Sequence, residues 1–198
     1  ALLSYMHLAL REVTLFIAAC VALLGDLFFP RKGENIVFMV ASIGLFLVVA
    51  ESALFLGESK TLLFAGAFIS DAMAHLMKIF IGVTVFLSLF YGREYLEARS
   101  IPAGDYTVLA LFSTLGMCVL VSAHSLLTIY LGLELLSLPL YAMTAIRRTE
   151  TDGAEAAMKY FVMGAMASGI LLYGMSLLFG ATGALDFDGI AKALETDV

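Results

Sequence analysis

Apolar residues in this chain fall in long runs separated by short polar breaks, and not in the alternating pattern of a half-buried strand. A helix crosses a hydrocarbon layer with about 20 predominantly apolar residues. The runs predict an all-α, polytopic transmembrane helical bundle of about six spans, at about 13–29, 36–56, 72–90, 106–123, 126–146 and 154–179, with no water-soluble domain. The first run stops at the cluster Pro30, Arg31, Lys32, Gly33, where proline and charge oppose continuation of a lipid-facing helix. The second ends at Gly57 to Lys60. Asp71, His75 and Lys78 interrupt the third, which places Thr61 to Ser70 at the membrane interface. A polar linker, Gly92 to Asp105, precedes the fourth span. His124 and Ser125 leave room for only a tight turn into the fifth, so those two spans are antiparallel neighbours. Gly180 to Gly183 closes the sixth.

Composition agrees with the pattern. Hydrophobic residues are 62% of the 198, charged residues 14%, and mean hydropathy is +0.99, against roughly 45–50% apolar and 25% charged in soluble domains. The net charge of −6 forms no patch, since Asp186, Asp188, Glu195 and Asp197 gather near the end. No basic cluster exceeds two adjacent residues, which argues against nucleic-acid binding. Cys20 and Cys118 lie in different runs and read as small buried hydrophobes. His7, His75 and His124 are too scattered for a metal site, and no phosphate-binding loop, dinucleotide fingerprint or nucleophile motif appears, so no cofactor site is expected within the chain. Arg31, Lys32, Arg93, Arg99, Arg147 and Arg148 fall in the loops after spans one, three and five. The positive-inside rule then places those loops in the cytoplasm and the N-terminus outside.

Against that background Glu134 stands out. A carboxylate near the middle of a membrane helix costs about 2.5–3.5 kcal/mol on insertion scales, and such groups are functional by default. Tyr130, Ser137 and Tyr141 lie at i−4, i+3 and i+7 from it, so hydroxyls and carboxylate share one face. Alternation between a desolvated state and a cation-paired state would let Glu134 take up and release a proton; the plainer role is a hydrogen-bonded staple between helices. Pro139 removes a backbone donor and frees the carbonyl of Leu135, which is either a functional break or a packing kink. Lys159 enters the sixth span with Glu155 one i,i+4 step before it, and its position favours snorkelling to the cytoplasmic surface or pairing with Glu155. Asp71, His75 and Lys78 share one helical stripe, a proton relay or a self-neutralising cluster; the spacing favours the second. Asp26 and Glu51, near the ends of spans one and two, read as interfacial.

The segment LGLELLSLPLY at 131–141, followed by EAAMKYFVMGAMASGILLYGMSLLFGATG at 155–183, resembles the subunit N family of bacterial proton-pumping NADH:quinone oxidoreductase, respiratory complex I. That family belongs with the antiporter-like membrane subunits. The resemblance implies the N-terminal part of a fourteen-helix fold built from two inverted five-helix repeats. In it a glutamate of the fifth helix pairs with a lysine of the seventh. Glu134 matches that glutamate, and Lys159 matches a lysine of the sixth helix; these are the implied proton-translocation residues, with Tyr130, Ser137, Pro139 and Tyr141 as polar support. It further implies a multi-pass chain in the bacterial inner membrane whose partners are the lipid bilayer and other membrane subunits. NADH, FMN, iron–sulfur clusters and quinone would be handled by those other subunits. Related expectations are a subunit of a cation/proton antiporter or membrane hydrogenase; a different one is a non-conducting structural module. The sequence stops after the sixth span, so the seventh-helix lysine and the second repeat have no counterpart here. Glu134 lies roughly 18 Å from the cytoplasmic end of its helix and Lys159 roughly 8 Å from that end, too different in depth for a direct pair. Residues Met166 to Ser168 occupy Glu134's own depth.

Overall fold

The structure is a computed structural model describing residues 10–28, 33–57, 60–64, 66–147 and 151–196. Its elements are α1 (Leu10–Phe28), α2 (Gly33–Leu54), β1 (Thr61–Leu63), β2 (Phe68–Ser70), α3 (Ala72–Ala98), α4 (Ala103–Val121), α5 (Leu126–Thr144), α6 (Thr151–Thr182) and α7 (Phe187–Thr196). Among the described residues five helices, α2 to α6, are long and apolar enough to cross a membrane. The first expected span, α1, is as long as α4 and α5 but carries Arg11, Glu12 and Asp26. His7, Arg31, Lys32 and Arg148 lie outside the described residues.

Each helix of the packed core contributes one stripe at helical spacing. Leu15, Ala19 and Ala22 of α1 meet Val37, Ala41, Leu45 and Val48 of α2, Leu89 of α3, and Val108, Leu111, Leu115 and Cys118 of α4. Helix α4 is central, touching α1, α2, α3 and α5. Its seam with α5 is close because glycines face backbone on both sides. A Cβ on Gly116 would collide with the backbone of Leu135 and Leu136, and one on Gly132 would come within 3.0 Å of the Leu120 backbone. With no hydrophobic driving force between helices in lipid, this close van der Waals approach is what holds α5 on α4 and fixes which face it turns inward. Helix α6 lies along α5 and, of its 32 residues, only Ala157 and Met175 are buried.

One end of the bundle is laced by backbone hydrogen bonds. Ile69 N–H donates to the Ser122 carbonyl (2.8 Å), His124 N–H to Ala67 (3.0 Å), Leu126 N–H to Leu185 (2.9 Å) and Phe187 N–H to His124 (3.3 Å). These tie the β1–β2 hairpin, the α4–α5 turn and the α6–α7 link into one cap. Ser125 starts α5 by accepting the Thr128 N–H at 3.2 Å, an N-cap.

Several elements differ from the sequence expectation. Within the stretch read as interfacial, Thr61–Leu63 and Phe68–Ser70 pair antiparallel with Thr61 opposite Ser70, strands that the sequence pattern did not predict. The turn between them needs positive φ at Phe64 (51°) and Gly66 (87°). Helix α3 continues past residue 90 to Ala98, through Arg93, Glu94 and Glu97, because a helix leaving the apolar layer can carry charges into water. It ends in a Schellman motif: Ser100, at φ 53°, and Ile101 donate back to Glu97 (3.1 Å) and Leu96 (3.0 Å). Helices α4 and α6 begin at Ala103 and Thr151, ahead of the predicted 106 and 154. Gly183, with φ 68°, follows the end of α6 at Thr182, and α7 is an added short amphipathic helix.

Candidate functional site

The α5–α6 seam brings the predicted residues together at two levels. Glu134, half-buried, accepts a hydrogen bond at Oε1 from the Ser168 hydroxyl of α6. Two turns further along α5, the Tyr141 ring sits edge-on to Tyr160 (centroids 4.8 Å apart) and Phe161 (5.7 Å). Gly164 makes room for the Tyr141 hydroxyl, since a Cβ there would overlap it. These contacts fix the antiparallel register of the two helices, and that register places Ser168, not Lys159, across from Glu134.

Ser137, expected to face Glu134, spends its hydroxyl on the Leu133 carbonyl of its own helix. Tyr130 is half-buried on the same helix. Pro139 is buried and the helix runs through it unbroken. The side chain that reaches this weakened stretch is Ser113 of α4, which donates to the Leu136 carbonyl at 3.3 Å, next to the one that Pro139 frees.

Lys159 is not part of the Glu134 contact. Its Nζ donates to Glu155 Oε1 at 2.5 Å, and the two side chains are 72% and 65% exposed. Nine residues of α6 separate Lys159 from Ser168, roughly 13 Å along the axis.

A second polar constellation lies at the hairpin end, and it corrects the reading of Asp71, His75 and Lys78. Asp71 is the N-cap of α3, accepting the Ala74 N–H at 2.8 Å, and does not neutralise Lys78. Lys78, 1% exposed, forms an ion pair with Glu12 of α1. His75, fully buried, receives Arg11 Nη1 on its Nδ1 at 2.6 Å, while its Nε2 is 3.3 Å from Ser70 Oγ. Arg11, 2% exposed, also donates from Nη2 to Ser70 Oγ at 3.3 Å. Phe55 lies 5.9 Å beneath the guanidinium and Phe68 5.4 Å from the ammonium, within cation–π range. Glu51, partly buried near the end of α2, faces Arg11 and Glu12 electrostatically, and its Oε2 is buried with no hydrogen-bond partner among the described residues. Asp26 interacts with Asp105 near the start of α4. Glu12 escaped the sequence reading because it sits one residue before the predicted first span. The signal for it was an unmatched lysine inside the third.

Among the described residues no group of three or more His, Cys, Asp or Glu side chains is placed to hold a metal ion. Cys118 is buried in the core and Cys20 half-buried, both free thiols.

With this geometry in view, residues 123–198 match the family described as NADH:quinone oxidoreductase/Mrp antiporter, TM. NADH-quinone oxidoreductase subunit N of Alkalilimnicola ehrlichii is 46% identical over 184 residues, which are 93% of this chain and 38% of that protein. A chain of respiratory complex I from Thermus thermophilus with bound aureothin superposes with a TM-score of 0.71 at 29% identity, covering 89% of this chain and 38% of that one. A chain of the Mrp complex from Dietzia sp. has a TM-score of 0.72 at 19% identity over 95% of this chain and 39% of that one, a likeness of fold alone. The chain spans about two-fifths of the length of these relatives. Its helices are therefore a stretch of an antiporter-like membrane fold, and its sequence resembles NADH-quinone oxidoreductase subunit N.

Proposed function

We propose that this chain is part of a proton-translocating membrane subunit, of the subunit N kind, in a bacterial NADH:quinone oxidoreductase, and that Glu134 is the group that takes up and releases the proton. The observation that carries this reading is a carboxylate within a membrane helix, held across the α5–α6 seam by a hydroxyl and not by a cation. A serine hydroxyl donates to an ionised carboxylate and accepts from a protonated one, so Glu134 can change charge without losing its partner. A buried ion pair would instead favour one state.

Lys159, matching the family's sixth-helix lysine, acts at a distance by tuning. The redox chemistry of NADH, FMN, iron–sulfur clusters and quinone takes place in other subunits. The chain lies in the inner membrane with its N-terminus outside and the ends bearing Arg93, Arg99 and Arg147 in the cytoplasm, which follows from the basic residues.

Glu134→Gln keeps the shape and still accepts from Ser168, so the complex assembles. In reconstituted vesicles the number of protons moved per NADH oxidised then falls sharply, and Ser168→Ala lowers it less. Unchanged stoichiometry in Glu134→Gln would leave Glu134 as a staple between helices and the chain as a structural module.

A further inference from the structure

We infer that the Arg11–Glu12–Ser70–His75–Lys78 cluster is a second proton-exchange site, in which His75 passes a proton between the interior of the subunit and the aqueous phase at the hairpin end as Arg11 moves aside. It rests on the reading of the chain as part of a proton-translocating subunit, but uses none of the residues around Glu134.

Arginine has five N–H donors and no acceptor, so Nδ1 of His75 must be the accepting, unprotonated nitrogen. The ring hydrogen is then on Nε2, pointing to Ser70 Oγ. The imidazole is thus held neutral with its one basic nitrogen covered by a guanidinium. Burial of a mere structural staple would be satisfied by Glu12 and Lys78. The Arg11–Ser70–His75 triangle adds a titratable ring, fully buried, whose protonation state is set by where Arg11 stands.

A landing place for Arg11 exists. Glu51 of α2 already faces it, and Glu51 Oε2 has no hydrogen-bond partner among the described residues. When Nδ1 gains a proton from one side of the site, the Arg11 contact to it breaks and the guanidinium turns to Glu51; loss of that proton to the other side reverses both movements, so each cycle carries one proton between the interior of the subunit and the water at the hairpin end. The surrounding charges accommodate one proton. Glu12 of α1 is paired with Lys78 and Glu51 of α2 faces Arg11, so each cation has a carboxylate beside it, and Asp71 of α3 favours a positive charge on the His75 ring itself. Cys118 is the titratable side chain that α4 turns toward this group. Access is from the near end: His75 is three residues past the first residue of α3, roughly 5 Å along its axis. Glu12 Oε2 and Thr61 Oγ1 are further buried oxygens with no hydrogen-bond partner among the described residues.

The test uses the full-length subunit in the assembled complex, reconstituted in vesicles, with protons moved per NADH oxidised measured across pH. His75→Gln still accepts from Arg11 and donates to Ser70 but cannot carry a charge. It is expected to keep electron transfer and to lose pumping. Arg11→Lys uncovers Nδ1 while keeping the charge, and is expected to move the midpoint of the pumping profile to higher pH by about one unit, tenfold in proton affinity. Pumping by His75→Gln like the parent overturns the inference, and so does a pH profile unmoved in Arg11→Lys. Should His75→Gln not assemble, the Arg11→Lys profile decides alone. Glu134→Gln in the same vesicles separates the two readings: loss there, with the parent's behaviour in both cluster variants, overturns the second site and leaves Glu134 standing.

Discussion

Lys78 and Glu134 lie at similar depth from the hairpin end, roughly 9 Å into α3 and roughly 12 Å into α5, yet their surroundings have little in common. Lys78 is closed in by α1, the hairpin, α3 and α4, and is 1% exposed. Its counter-ion, Glu12, comes from within the same enclosure. Glu134 lies on a seam of two helices, and its partner is a neutral hydroxyl. Where several elements converge, a charge can be fully desolvated only if an opposite charge is buried with it. Where two helices meet, a half-buried carboxylate can make do with a dipole. The first arrangement makes structure that depends on charge, and the second leaves charge free to change.

Breaking the enclosed pair should therefore have the largest effect on folding. Lys78→Met leaves Glu12 buried and unpaired, which costs about 3–5 kcal/mol; complex assembly in membranes should collapse. Adding Glu12→Gln should restore part of it, and failure of that rescue would show that the pair does not stand as a unit. Next comes the α4–α5 seam. Gly116→Ala forces a methyl into the Leu135–Leu136 backbone, an overpacking cost of about 1–3 kcal/mol. The thermal midpoint should fall, and pumping with it, because Glu134 is carried on the displaced helix. The smallest effect belongs to Lys159→Met. Its exposed i,i+4 pair with Glu155 contributes a few tenths of a kcal/mol at most, about 0.3–0.5 kcal/mol. Stability should be unmoved and pumping should fall less than in Glu134→Gln. An equal or larger loss of pumping would mean that Lys159 meets the proton directly.

What could be read from sequence follows the solvent. Hydrocarbon selects whole runs of apolar residues, so α2 to α6 are visible as composition, and a carboxylate such as Glu134 is conspicuous inside one. Depth counting placed Met166 to Ser168 opposite it, and Ser168 is the residue that meets it. The hairpin was hidden because its turn depends on a left-handed Phe64, for which that residue type gives no signal. Helix α7 was legible in principle: Phe187, Ile190, Ala191 and Leu194 follow helical spacing on a ten-residue segment too short to notice among long runs. The buried cluster was misassigned because a stripe on one helix shows which charges are neighbours in sequence order, not which partners arrive from α1 and β2. Such pairings are set by tertiary packing.

The cap at the hairpin end also has a mechanical meaning. Backbone hydrogen bonds join the α4–α5 turn to the hairpin and to the α6–α7 link, whereas among the described residues the far end of α5, past Thr144, is held through a side chain, Arg147 Nη2 donating to the Arg99 carbonyl at 3.0 Å. A helix clamped at one end moves as a lever. If α5 tilts by about 10° about Leu126, Glu134, eight residues on, swings by ~2 Å, and Tyr141, fifteen residues on, by ~4 Å at 1.5 Å rise per residue. The short swing is enough to make or break one hydrogen bond to Ser168. The longer one would unseat the Tyr141 ring from its slot against Gly164. The aromatic contact is thus the stop on the lever arm, and the carboxylate sits close to the fulcrum, where a large movement at the far end is geared down to the size of a proton transfer.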